Sequence, residues 1–367
     1  MANTGDASKA RRRNRAIVGG ALAGLGAAGL ALALLRGDRP MTKKPGTRSS
    51  ERPASLSAVD VSRAPSPPVV HPSPAEQRAE FVKFTWGSSN GALGRTRPDE
   101  ANPEGPMSVA PLPGGGLVIL DQVNGRLVRV DGKGAVVGTS AMKVRSPQDV
   151  AVAKDGTVAV LDRLGDKGVE ILGADGRSRG VLPLEGKGIP EGGGTTGLFV
   201  DDATGNVLVE REHGVLTVLG KTDGTTSDDR TTIPGRPSRD GTAWLSAGIT
   251  DRESGRVWVS AMERATTTQR WTRELRANRT VRTLLTLDSD RSGVVYLAEE
   301  IPEGEQTFVR VVCLAGNDGH LVGSVDMPSS HLPEETFRDF AILDDGTIVH
   351  GERTEAGVRY VNYRCQS

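Results

Sequence analysis

Five acidic residues recur at one place in a repeated pattern. Asp121, Asp162, Glu210, Glu299 and Glu352 each stand at or beside the end of a short apolar run that starts at a glycine: Gly116, Gly156, Gly205, Gly293 and Gly346. If those runs are equivalent strands of neighbouring sheets, their ends point to one rim. Arg163, Arg211, His213, Glu263, Arg264 and Arg353 then lie close by. Two chemistries fit such a set. Carboxylates and guanidinium groups around a common mouth would bind a cation or a sugar. Alternatively, each acid accepts hydrogen bonds from the loop of its own repeat and serves structure alone. Pattern leaves both readings open.

Signatures of catalysis do not occur in the sequence. There is no H-E-x-x-H, C-x-x-C or G-x-S-x-G, and the Gly-rich stretch Gly186 to Gly197 lacks the Gly-Lys-Ser/Thr ending of a phosphate loop. His71, His213, His320, His331 and His350 are scattered without ligand spacing, so a zinc site is not expected. The acidic pairs Asp201-Asp202, Asp228-Asp229, Asp288 with Asp290, and Asp344-Asp345 read as hairpin-turn residues. No cofactor is therefore expected, and one divalent cation such as calcium is the alternative.

The elements that would position these residues follow from the glycines. The chain of 367 residues contains 47 Gly and only 4% aromatics, which favours many short strands and tight turns. "PGGGLVILD" (Pro113 to Asp121), "KDGTVAVLD" (Lys154 to Asp162), "ATGNVLVE" (Ala203 to Glu210), "ESGRVWVS" (Glu253 to Ser260), "RSGVVYLAEE" (Arg291 to Glu300) and "DDGTIVHGE" (Asp344 to Glu352) share a turn glycine followed by a strand pattern. Their glycines, Gly116, Gly156, Gly205, Gly255, Gly293 and Gly346, are spaced by 40, 49, 50, 38 and 53 residues, around the length of one four-stranded propeller blade. Each is expected to supply the positive φ of a hairpin turn. A blade cannot cover its own faces, so the unit must repeat until a ring closes. Six markers predict an all-β, six-bladed β-propeller over residues 81–367.

The first repeat, Phe81 to Gly134, resembles the NHL-type six-bladed β-propeller. Trp86-Gly87, Asn102 to Gly105, Ser108 to Ala110, Gly116, Asp121 and Asn124 to Arg126 occupy the places of that repeat's outer strand, entry loop, inner strand, turn, strand-ending Asp and Asn-x-Arg segment. The resemblance implies ring closure by pairing Phe81 to Trp86 with the last strands, Val358 to Cys365, which removes open edges. It also implies that each rim acid binds its own blade's loop. Some propellers of this shape are gluconolactonase-like, metal-dependent lactonases, but their Glu, Asn and Asp set cannot be matched here residue by residue. The preferred reading is a binding or scaffold module with a protein or carbohydrate ligand; a lactonase-like hydrolase is the alternative.

The amino-terminal part differs in kind. Residues 1–15 form a basic tail ending in Arg11 to Arg15, and Ala16 to Leu35 are twenty residues without a charge. At about 1.5 Å per residue, such a helix spans roughly 30 Å, the thickness of a bilayer core. Lys9 to Arg15 would hold the tail in the cytoplasm and leave the remainder outside, on the periplasmic or extracellular side. A permanent anchor is preferred to a cleaved signal, because the small residues Ala31 to Ala33 lie inside the apolar run. Residues 36–80, with five prolines between Ala64 and Pro74, read as a disordered Pro/Ser-rich linker. The first 75 residues carry 12 Lys/Arg against 4 Asp/Glu, leaving 34 against 42 for the rest. That acidic balance excludes nucleic acid as a partner of the domain.

Cys313 and Cys365 are the only cysteines. Counted from their turn glycines they occupy nearly equivalent third-strand positions in neighbouring sheets, about 10 Å apart, beyond the roughly 7 Å that a disulfide spans. Two free thiols are expected, unless the chain end bends toward its neighbour. The topology is tested by a reporter fused after Ser367 that is active only when exported: activity is expected, and activity of a cytoplasm-only reporter instead would refute the orientation.

Overall fold

In a computed structural model that describes residues 57–59, 79–330 and 332–366, the apolar runs are strands buried from both sides. Gly116–Asp121 illustrates why: Leu117, Val118, Ile119 and Leu120 are all 0% exposed, because this strand lies second from the axis with a sheet packed on each face. The outermost strand of the same sheet, Val136–Ala141, leaves Val136 and Val137 exposed. Burial thus falls from the axis to the perimeter.

Six sheets form the ring, each antiparallel between its neighbouring core strands. Blade 1 contains Ser108–Leu112, Gly116–Asp121, Arg126–Val130 and Val136–Ala141. The inner strands of blades 2, 3, 5 and 6 are Asp149–Val152, Thr195–Asp201, Thr283–Ser289 and Phe340–Ile342. Ala79–Trp86 closes the ring, pairing with Gly357–Tyr363 of blade 6 in the register Phe84↔Val358 and Thr85↔Gly357. A Cβ at Gly357, whose φ is 151°, would stand 1.9 Å from the Phe84 carbonyl oxygen, so glycine is required at this seam. Phe84 meets Tyr360 edge-on at 6.3 Å between ring centroids.

The apolar cores lie between the blades. Clusters join blade 1 to 2, 2 to 3, 4 to 5, 5 to 6 and 6 to 1. Among the described residues the interface of blades 3 and 4 has no such cluster. There, Arg264 stacks 4.4 Å over Trp244 and pairs with Asp201, while Arg236 stacks 5.0 Å over Phe199 and pairs with Glu210.

Blade 4 also corrects the sequence reading. Its strands are Arg236–Pro237, Ala243–Asp251, Arg256–Glu263 and Gln269–Arg276. The turn from its inner strand is at Gly241, φ 75°, not at Gly255, which joins the second strand to the third. Asp240, Asp155 and Asp345 accept the N–H of Thr242, Thr157 and Thr347 at 3.0, 2.9 and 3.0 Å, so three Asp-Gly-Thr turns are equivalent. The inner strand ahead of Gly241 has only two residues, too short to show a period. In blade 1 the positive φ belongs to Gly114 (83°) and Gly115 (85°) rather than Gly116.

The closing strand begins at Ala79. Within the segment read as disordered linker, Ser57–Val59 forms a strand parallel to the outer strand of blade 4, with Ser57 opposite Arg273. Residues 16–35 lie outside the described residues, among which no helix is long and apolar enough to cross a membrane. His331 is likewise outside them.

Cys313 and Cys365 form a disulfide, contrary to expectation, with Cα atoms 6.3 Å apart. Regular blade geometry fails because Cys365 lies beyond the last strand, which ends at Tyr363. There the chain crosses to blade 5, and Gln366 and Ser324 exchange backbone hydrogen bonds of 3.1 and 3.0 Å. That crossing brings the two cysteines within bonding reach. Intact-mass analysis after alkylation without reductant should find neither cysteine labelled. Cys365→Ser should cost about 2–4 kcal/mol in denaturant unfolding, given the 52-residue separation of the cysteines; an unchanged midpoint would refute the contribution.

Candidate functional site

The second strands of the blades all end at one rim. Asp121, Asp162, Glu210, Glu299 and Glu352 stand there on blades 1, 2, 3, 5 and 6, at 0%, 0%, 3%, 2% and 8% exposure. On blade 4 the equivalent positions past Gly241 hold Ser246 and Ala247, so the acidic series is interrupted there.

Four of the five acids are engaged. Asp121 accepts from Arg126 and Asn124 of its own blade and from the N–H of Gly94, each at 2.8 Å. Asp162 gathers backbone N–H groups of Arg145, Ser146, Leu164, Gly165 and Asp166, clamping two loops together. Glu352 accepts from Arg359 and Tyr363. Glu210 forms a two-bond pair with Arg236, both bonds 2.9 Å long, and lies 3.8 Å from the His213 imidazole.

Glu299 differs. No hydrogen bond from a described residue reaches its carboxyl, and its cross-strand partner Arg310 is committed to Asp326 through two bonds of 2.8 and 2.9 Å. Burial pushes the Glu299 carboxyl up to about 7, against the opposing charge of Arg310. Burial also pushes the His350 imidazole below its ordinary value.

The basic candidates at this rim are mostly bound to carbonyls. Arg163 donates to Thr195 O and Gly193 O and lies 5.3 Å over Phe337; Arg211 donates to Gly188 O. Arg353 joins Asp339, Pro106 O and Thr336. Two candidates belong elsewhere. Glu263 ends the third strand of blade 4 and therefore faces the opposite rim, where it pairs with Arg270, and Arg264 beside it pairs with Asp201. Hydrogen bonds from Arg270 hold the Glu263 carboxyl below its usual range.

The sequence reading also missed the groups that cross the axis. At the glycine-turn rim, Arg291 bridges Asp202 and Asp344, and Arg239 also pairs with Asp344, tying blades 3 to 6 together. At the acid rim the loop before blade 6 inserts Phe337 and Arg338. Arg338 donates to Asp149 at 2.8 Å and to Leu198 O at 3.1 Å, and lies 5.5 Å from the Phe199 ring that Arg236 also covers. No local pattern marks these pairs, because each joins distant segments.

The interruption at blade 4 opens a cavity of about 530 Å³ between blades 3, 4 and 5. It exists because the inner strand of blade 4 is only Arg236–Pro237 and leaves most of Ala243–Asp251 uncovered toward the axis. One wall is apolar, from Ala247, Ile249, Leu284 and Leu287. The other presents Glu210, His213 and Trp258. Arg236 spans the space, donating to Leu287 O of blade 5 at 3.1 Å. The Trp258 indole N–H has no partner among the described residues, and Arg252 at the edge has the Arg282 carbonyl but no carboxylate. This size and mixture suit a bound organic ligand.

A metal fits less well. Among the described residues no three His, Cys, Asp or Glu side chains converge as a ligand set, and the rim acids other than Glu299 are occupied by N–H and guanidinium donors.

No known family model matches the chain, and no curated protein matches it. Among solved structures, the Kuenenia stuttgartiensis hydrazine synthase aligns with a TM-score of 0.45 and 14% identity over 70% of this chain and 78% of that one. A streptogramin B lyase gives 0.41 and 11% over 74% and 97%, and U3-55K gives 0.44 and 11% over 79% and 99%. Likeness at these levels transfers no activity. The six sheets and their closure make the chain a six-bladed β-propeller, the shape that the NHL-type resemblance implied.

Glu299 yields a pH test. Between an ordinary carboxyl value of 4.5 and about 7 the folded chain binds the extra proton, so stability falls as pH rises through that window. Glu299→Gln should abolish this slope and gain roughly 1–3 kcal/mol at pH 8 in urea unfolding. A wild-type slope retained in the variant would refute the assignment.

Proposed function

We propose that this chain is a membrane-tethered binding module whose propeller stands outside the cytoplasm and holds a ligand in the blade 4 cavity. The observation that carries the reading is the cavity itself: blade 4 leaves half of its inner-strand position open, with unspent polar groups beside an apolar wall. The disulfide supports the compartment, since such bonds persist in oxidising spaces. The basic tail and the apolar run Ala16 to Leu35 support the tether. The acidic balance of residues 76–367 favours a protein or carbohydrate partner over nucleic acid.

The test is ligand retention from solubilised envelope extract by the full chain, compared with Ala247→Phe, which fills the cavity with apolar volume. A ligand in the cavity at a hundred times its Kd should stabilise the wild type by about 2.7 kcal/mol and the variant not at all. Equal retention and equal stabilisation of both proteins would refute the site.

A further inference from the structure

In a regular blade the inner strand covers the whole axial edge of the second strand. In blade 4 it pairs only at Arg236↔Leu245 and Pro237↔Trp244. The direction of the uncovered backbone groups follows from their neighbours. Ser238 donates to Ala243 O at 2.9 Å. A Cβ built on Gly235 would lie 2.6 Å from Leu245 O and 3.1 Å from Leu245 N. Ala243 and Leu245 therefore turn their polar groups to the axial edge. Alternation in an antiparallel strand sends those of Ala247 and Ile249 the same way. Their N–H and C=O groups have no backbone partner on that edge among the described residues, and both residues line the cavity. A row of unpaired strand groups is a template for another strand.

We infer that the cavity takes an extended peptide that pairs with Ala247 and Ile249 as the missing half of the inner strand and carries a carboxylate near the rim. The inference rests on the binding-module reading and names its ligand class. Successive side chains of such a strand point to opposite faces. One set meets Ala247, Ile249 and Leu284, which pack on the core of blades 4 and 5; the other meets Glu210, His213 and Trp258. Gly248 keeps the second face open to the indole, since a Cβ there would stand 2.7 Å from Trp258 Nε1. The carboxylate answers Arg252, a guanidinium at the cavity edge without an acidic partner among the described residues. A sugar would use the polar wall and leave the strand edge and apolar wall idle.

The test uses the full chain in detergent with an array of synthetic heptapeptides of alternating apolar and polar residues, half of them ending in Asp or Glu. At least one should bind, slow amide exchange of Ala247 and Ile249 tenfold or more, and lose tenfold or more in affinity when its alternate amides are N-methylated. Arg252→Ala should weaken the acidic peptides selectively. If saccharides are retained but no peptide binds, or if peptides bind while both amides still exchange freely, the peptide assignment falls and the binding-module reading stands. If the cavity retains neither peptide nor saccharide nor any extract component, both fall.

Discussion

A sheet in a ring cannot bury its own faces, so every blade depends on the two beside it and the whole depends on closure. Closure here is the pairing of Ala79–Trp86 with Gly357–Tyr363. Around that seam Phe84, Leu93, Val109, Leu117, Val349 and Tyr360 pack into one cluster joining blade 6 to blade 1. Breaking the pairing would expose two strand edges and uncover that cluster at the same time. The disulfide adds a covalent link between blade 5 and the chain end just past the seam, so the closing blade is held by hydrogen bonds on one side and by a bond on the other.

The blade 3–4 interface is built by different means. Its ties are directional: Arg236 with Glu210 and Phe199, Arg264 with Asp201 and Trp244. The Glu210 and Asp201 side chains are only 4% and 3% exposed. Removing one member of such a buried pair leaves an uncompensated charge, at a cost of about 3–5 kcal/mol. An interface held this way can carry a void beside it without collapse, because the charged groups fix the spacing that apolar side chains would otherwise close. The cavity and the ion pairs thus belong to one arrangement.

Much of this was legible in the sequence, and the misses have physical causes. The blade count could be read because hairpin turns at the axis need glycine and the strands after them are apolar. Blade 4 misled because its true inner turn, Asp240-Gly241-Thr242, follows a strand of two residues, whereas the Gly255 hairpin is flanked by strands of nine and eight. The shared Asp-Gly-Thr was the signal that could have identified it. The acids of the rim were readable as a set, and own-blade partners such as Asn124 and Arg126 for Asp121 agree with the resemblance, but partners from other segments were not readable: Arg236 comes from the following blade and Gly94 from the segment leading into blade 1. The cavity left no motif at all, since it arises from a strand that is too short. Cys365 was placed by strand regularity that ends two residues earlier.

The closing strand is made long before its partners. Trp86 donates its indole N–H to Thr354 O across a sequence separation of 268 residues, and its whole strand waits for partners at the other end of the chain. Blades 1 to 5 can assemble in order from neighbours, but blade 6 cannot be completed until the last strands exist. The slow step of folding therefore falls at the end, with a large loop-closure cost carried by one long-range docking event. An open, five-bladed arc with two free edges therefore precedes the ring, and the interval between the two is when the protein is most exposed to aggregation.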